Sequence, residues 1–196
     1  VGAHPDDLEI LCGGTLARFV QEGHDVVMCH ATRGNRGSCV HTSEEIAAIR
    51  GGEALRASQL CGADYACLGF SDAEINAADR DQQRAVVDLV RAARPDLIIT
   101  HSPGDYMGDH NEPSKRVFEC SFYATFANLA TPRPRHEQVT PIYYMDTIAG
   151  LGFLPTEYVD VTDVIDVKAS MLEAHATQLT WLRDHDGVDI VEEMKT

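Results

Sequence analysis

Val86-Val-Asp-Leu-Val90-Arg-Ala-Ala-Arg94-Pro95-Asp96-Leu-Ile-Ile-Thr100 decides the class of fold. Val86, Val87, Leu89 and Val90 give a helix one apolar side, and Asp79 is placed to cap its start. Pro95 cannot continue that helix. The next five residues, 96–100, are an apolar run of strand length, read as a buried strand. Helix, proline stop and buried strand in immediate succession are the second half of a strand–helix–strand unit, the building block of a parallel sheet.

The same alternation extends in both directions. Upstream, residues 66–68 read as a short strand and residues 26–31 as a buried one. Between them Thr42 and Glu45 have capping-box spacing, opening a helix that runs to about Leu60 with Gly62 just past its end. Gly13-Gly14 precede a helix carrying Leu16, Phe19 and Val20, which Gly23 ends. Residues 1–3 read as the tail of a buried strand. Downstream, residues 101–108 form a loop, and a helix spans about 111–126 with Pro113 in its first turn. Strands are expected at 142–147 and 158–161, and one long final helix from Asp163 to about Leu182. The pattern is α/β with a mostly parallel sheet covered on both faces, in one domain spanning 1–196. The chain starts without Met inside a strand and shows no closing element over 184–196, so both termini are expected to be incomplete.

The balance of 16 Lys and Arg against 31 Asp and Glu gives a net charge of −15 over 196 residues. A chain this acidic lacks the clustered cations that nucleic acid or anionic lipid requires. No apolar run is long enough for a membrane span. The cysteines at 12, 29, 39, 61, 67 and 120 form no CxxC pair and no disulfide framework, the usage of reduced thiols in the cytoplasm. G-x-G-x-x-G is absent, which argues against a nicotinamide cofactor, and no G-x-S-x-G marks a serine hydrolase.

In parallel sheets ligands bind beyond the carboxyl ends of the strands, and the polar clusters of this chain fall there. Ala3-His4-Pro5-Asp6-Asp7 sets an imidazole and two carboxylates directly behind the opening strand. His4 and Asp7 can converge on one divalent ion such as zinc, leaving Asp6 as a free carboxylate alongside, the position of a general base. The competing reading is that Asp6 or Asp7 only caps the following helix. After the 96–100 strand comes His101-Ser-Pro-Gly-Asp105-Tyr-Met-Gly-Asp109-His110. His110 is the candidate third ligand, which leaves a coordination position open. Asp109 can hold a ring nitrogen in one tautomer, cap the next helix, or do both. Lys168, His175 and Gln178 share one face of the expected final helix.

Together, His4-Pro5-Asp6-Asp7, Asp109-His110 and Lys168…His175-Ala-Thr-Gln178 resemble the PIG-L/LmbE-like zinc deacetylases. Thr32-Arg33-Gly34, Arg50-Gly-Gly-Glu53, Leu60-Cys-Gly62 and Leu68-Gly69 fit the same family in the same order. The resemblance implies a Rossmann-like three-layer sandwich with one divalent metal, usually zinc. It assigns the metal to His4, Asp7 and His110, the general base to Asp6, and the sugar part of an N-acetylglucosamine-type substrate to Arg50. Asp72 is a looser candidate for a sugar hydroxyl, equally readable as a solvated loop carboxylate. Arg50 has its own plain reading, an exposed i, i+3 ion pair with Glu53. One position departs from the pattern: Met107 stands where many relatives carry a His credited with stabilising the oxyanion or handling a proton. His101 or His175 then takes over, or Asp6 shuttles the proton alone, or activity is reduced. The expected reaction is hydrolysis of an N-acetyl group to acetate and a free amino sugar. The alternatives are an amidase for a larger N-acyl conjugate and a sugar-binding homologue with impaired catalysis. The sequence encodes no oligomeric state; a homo-oligomer is offered only by analogy with relatives.

Overall fold

The computed structural model describes residues 1–194. In chain order the elements are α1 (Asp7–Leu11), α2 (Gly13–Gln21), β1 (Val27–Thr32), α3 (Ser43–Cys61), β2 (Asp64–Phe70), α4 (Arg80–Ala93) and β3 (Ile98–His101). They continue with α5 (Gly108–Tyr123), β4 (Ile142–Met145), α6 (Ile165–Glu173), α7 (Ala176–Trp181) and α8 (Ile190–Met194). β1 pairs with β2 and β3 with β4, both in parallel. The opening residues run between the two pairs. Gly2 bridges His30, its N–H donates to Cys29 O at 2.9 Å, and the Val1 amino group donates to Ile99 O at 2.6 Å. The order across the hydrogen bonds is therefore β2, β1, residues 1–3, β3, β4.

Alternation along the strands sends successive side chains to opposite faces. Ile98 and Ile142 pack with Val86, Val87 and Val90 of α4 and Val117 and Cys120 of α5. Ile99 and Met145 pack on the other face with Leu8 and Leu16 of the first helices, Ala57 of α3 and Met171 of α6. Each fully buried branched side chain contributes about 1.5–3 kcal/mol, so these two clusters fix which way every strand end points. Gly14 lets α2 come close to the segment before α6, because a methyl group there would stand 2.7 Å from Val161 Cγ1.

The predicted helix starts at 42–45 and 79 are present. Thr42 and Glu45 complete both halves of their capping box, and Asp79 accepts from the N–H groups of Asp81 and Gln82. Several expectations need correction. Residues 158–161 form no strand, and Tyr158 is 84% exposed. Gly13 and Gly14 lie inside α2, not before it. α5 begins at Gly108, so His110 falls in its first turn and Pro113 in its second. The single long final helix is broken between Glu173 and Ala176, with His175 at φ −85°, ψ 56°. The break is stabilised from outside: Glu53 of α3 accepts the Thr177 N–H at 2.9 Å and its hydroxyl, capping α7 in trans. Residues 190–194 form a helix, on which Val191 is buried. Among the described residues no helix is long and apolar enough to cross a membrane.

Candidate metal-dependent active site

Residues 1–3, β1, β2 and β3 deliver their carboxyl ends to one place, between neighbouring strands whose chain connections run in opposite directions. The turn after the opening segment is tight. His4 N–H donates to Asp7 Oδ2 at 2.6 Å, and Asp6 takes φ 118°, ψ −27°. A non-glycine residue in that region costs on the order of 1–3 kcal/mol and persists only where its surroundings enforce it. Arg50 enforces it here. Its Nη2 donates to Pro5 O at 2.6 Å and stands 3.4 Å from Asp6 Oδ1. Gly34, at φ 66°, gives the guanidinium room, because a methyl group there would sit 2.7 Å from Arg50 Nε. Arg50 is thus buried against the turn and not paired with Glu53 on an exposed face.

Asp7 is the centre of the cluster. His4 Nδ1 lies 3.4 Å from its Oδ2, His101 Nε2 3.2 Å from the same oxygen, and His110 Nε2 3.3 Å from Oδ1. Burial raises the Asp7 carboxyl, but these imidazoles prevail and hold it well below the usual range. The outer nitrogens of two rings meet carboxylates: His110 Nδ1 to Asp105 Oδ2 and His4 Nε2 to Asp109 Oδ2, each at 2.9 Å. Burial lowers His4, yet Asp109 and Asp7 raise it to about 10. Asp109 also accepts from Ala73 N–H and does not cap α5, whose N-cap is Met107.

Donor atoms of His4, Asp7 and His110 lie within 4.8 Å of one another. His110 Nε2 is buried with no hydrogen-bond partner, while its other nitrogen is fixed by Asp105, the arrangement of a metal-ligating imidazole with its outer carboxylate. The donor set therefore fits a divalent cation. A second group of His101, Asp105 and His110 also lies within that distance and shares His110 with the first. Asp105 takes His110 Nδ1 and Met107 N–H, and His101 Nε2 takes Ala3 N–H at 2.9 Å.

Asp6 is 5% exposed, and burial above all raises its carboxyl to about 6 against the opposing charge of Arg50. His101 and His175 are both fully buried. His101 stacks on His110 at 3.9 Å between ring centroids, and His175 lies 3.1 Å from Glu9 Oε1. Both rings are as deeply buried as His110. Asp72 is buried, not solvated: its oxygens accept from Gly34 N–H at 3.1 Å and Arg36 N–H at 2.9 Å, shaping the 33–36 loop. A methyl group on Gly13 would stand 3.4 Å from Lys168 Cγ. Two residues escaped the sequence reading. Asp105 sits within the second cluster at i−5 from His110, a spacing with no helical signature. Glu9 lies in the first turn of α1, where an acidic residue is ordinary.

The family profile described as "PIG-L: GlcNAc-PI de-N-acetylase" matches residues 1–121. The 1D-myo-inositol 2-acetamido-2-deoxy-alpha-D-glucopyranoside deacetylase of Rhodococcus erythropolis is 26% identical, covering 92% of this chain and 80% of the relative. Among solved structures, the N,N'-diacetylchitobiose deacetylase of Pyrococcus horikoshii superposes with a TM-score of 0.80 at 23% identity, over 90% of this chain and 68% of that one. GalB, the 4-carboxy-2-hydroxymuconate hydratase of Pseudomonas putida KT2440, superposes with a TM-score of 0.81 at 22% identity, over 92% and 79%. Similarity at this level shows the fold, and a hydratase sharing it means the chemistry must be argued from the site.

Proposed function

We infer that this chain, which belongs to the PIG-L family, is a metal-dependent hydrolase that removes the acetyl group from an N-acetylglucosamine-type substrate. The observation that carries this reading is the convergence of His4, Asp7 and His110 within 4.8 Å, with the buried Asp6 carboxylate next to Asp7 in the chain. A divalent cation held by those three residues supplies Lewis-acid polarisation of the amide oxygen and of the attacking water. Asp6 accepts the proton of the water whose oxygen adds to the acetyl carbon. The C–N bond then breaks, and Asp6 returns that proton to the leaving nitrogen, giving acetate and a free amine. Arg50 keeps Asp6 in its strained conformation and, with the loop shaped by Asp72, lines the sugar side of the site. Asp109 and Asp105 hold the rings of His4 and His110. His101 and His175 contribute from behind Asp7 and Asp6. The same reading takes residues 1–196 as one deacetylase domain of Rossmann-like, three-layer form.

The test is acetate release from N-acetylglucosamine, N,N'-diacetylchitobiose and a 2-acetamido-2-deoxyglucosyl inositol. Each is assayed with zinc-loaded protein and after chelation. Chelator-sensitive acetate release supports the reading; its absence across all three substrates overturns it. Met107 favours one second reading, a protein that binds the N-acetyl sugar without cleaving it. Saturable binding of the same sugars with no acetate released would select that reading.

A further inference from the structure

A buried polar group joins His175 to two residues that the proposed mechanism leaves unused. Glu9, His30 and His175 come from α1, β1 and the break before α7, and all three are completely buried. Glu9 Oε1 lies 3.1 Å from His175 Nε2, and Glu9 Oε2 lies 3.5 Å from His30 Nε2. Burying a carboxylate with two imidazoles is rarely the most stable solution, since apolar side chains of similar volume commonly do as well or better. The distortion of the final helix has the same consequence. Glu53 caps α7 in trans, His175 leaves helical geometry, and its ring meets Glu9.

A methyl group on Gly37 would stand 3.0 Å from Arg50 Nη1 and 4.0 Å from Gln178 Oε1, so the start of α7 packs on the Arg50 side of the site. Both His175 nitrogens and both Glu9 oxygens are buried without a hydrogen-bond partner, so the 3.1 Å approach of Glu9 Oε1 to His175 Nε2 is an ion-pair contact. We propose that Glu9 is a positioning residue: its Oε1, 3.1 Å from His175 Nε2, holds that ring at the start of α7, on the Arg50 side of the site, while His30 keeps the carboxylate itself in place. The inference rests on the deacetylase reading for its kinetic consequence and on the triad's geometry for the rest.

The experiment uses zinc-loaded Glu9→Gln, His175→Gln and the double variant, with N,N'-diacetylchitobiose as substrate. Glu9→Gln should lower kcat by ~10–100-fold, the usual effect of losing an outer partner of a site, with KM and bound zinc unchanged. Because Glu9 acts through His175, the double variant should be no slower than His175→Gln alone, within ~2-fold. Losses that multiply, an unchanged kcat, or loss of zinc from Glu9→Gln would each overturn the proposal. A readout independent of turnover is the ¹⁵N spectrum of the histidine rings. Glu9→Gln should move the His175 signals from one Nε2-protonated form to mixed tautomers, while those of His4 and His110 stay put; a fixed His175 signal refutes the inference. If the wild type releases no acetate, the deacetylase reading fails and the ring spectrum still decides this one. Should Glu9→Gln not fold, His30→Gln replaces it, expected to lower kcat with KM unchanged; intact turnover there counts against the triad.

Discussion

Arg50 and Arg91 are equally buried, each 4% exposed, and they have opposite surroundings. Arg91 of α4 has its donors matched: Nε to Ala124 O, Nη2 to Phe126 O, and Nη1 to Leu129 O and Thr131 Oγ1. It gathers the carbonyls at and beyond the carboxyl end of α5, where a helix leaves such acceptors free and favours positive charge. Arg50 donates to one carbonyl, faces one strained carboxylate, and keeps Nε without a partner. A satisfied buried cation marks a place built for stability. An under-satisfied one beside a residue at φ 118° marks a place where stability has been given up for geometry.

The largest effect that could break this contrast is at Asp6. Asp6→Asn should keep one zinc per chain and lower kcat by at least about two orders of magnitude, the usual weight of a general base. Folding raises this carboxyl from 3.8 to about 6, so the folded chain holds the proton more tightly than the unfolded one. The stability this brings is complete below pH 3.8 and lost as the pH rises through about 6. At pH 7 the neutral amide therefore should not lower the melting temperature. An Asn variant that turns over normally, or one that melts well below the wild type, would put Asp6 among the structural residues.

Arg91 should behave in the opposite way. Arg91→Met strands several carbonyls and should cost about 2–3 kcal/mol in urea unfolding, with kcat per folded molecule unchanged. Between the two lies Asp105→Asn, which loosens a ligand's outer hydrogen bond. Zinc affinity should fall ~10-fold, read by competition with a chromophoric chelator. Wild-type affinity in that variant would show that Asp105 only ties its own loop.

The contrast between the two arginines was not legible in the sequence. Hydrophobic period and the Pro95 stop were enough for α4 and β3, because those features act within a few residues. The cluster of His4, Asp7 and His110 was legible because strand ends of a parallel sheet share one edge. Arg50 was readable only by family resemblance, since its local pattern with Glu53 equally describes a solvated helix. What decides between them is Gly34, sixteen residues away and able to admit a guanidinium only through a backbone at φ 66°. The final helix was misread for a related reason: no Gly or Pro interrupts residues 163–182, and the break is held by Glu53 on another element. Long-range hydrogen bonds to backbone leave no period in the chain that receives them.

The smallest effect tests whether α3 carries Arg50 as a rigid unit. Thr42 and Glu45 hold the first turn through a reciprocal pair: Thr42 Oγ1 accepts the Glu45 N–H, and Glu45 Oε2 accepts the Thr42 N–H at 2.9 Å. Thr42→Ala removes half of that box and should destabilise the protein by about 1 kcal/mol in urea. Fraying is confined to the first turn, whereas Arg50 lies two turns further on, anchored to Pro5 and buried between Gly34 and Gly37. Zinc content, kcat and KM should therefore stay at wild-type values while the unfolding midpoint falls. A kcat that falls with the midpoint would mean that loosening the exposed end of α3 reaches the Asp6 turn, and that the geometry at Arg50 depends on the whole helix rather than on its contacts at the site.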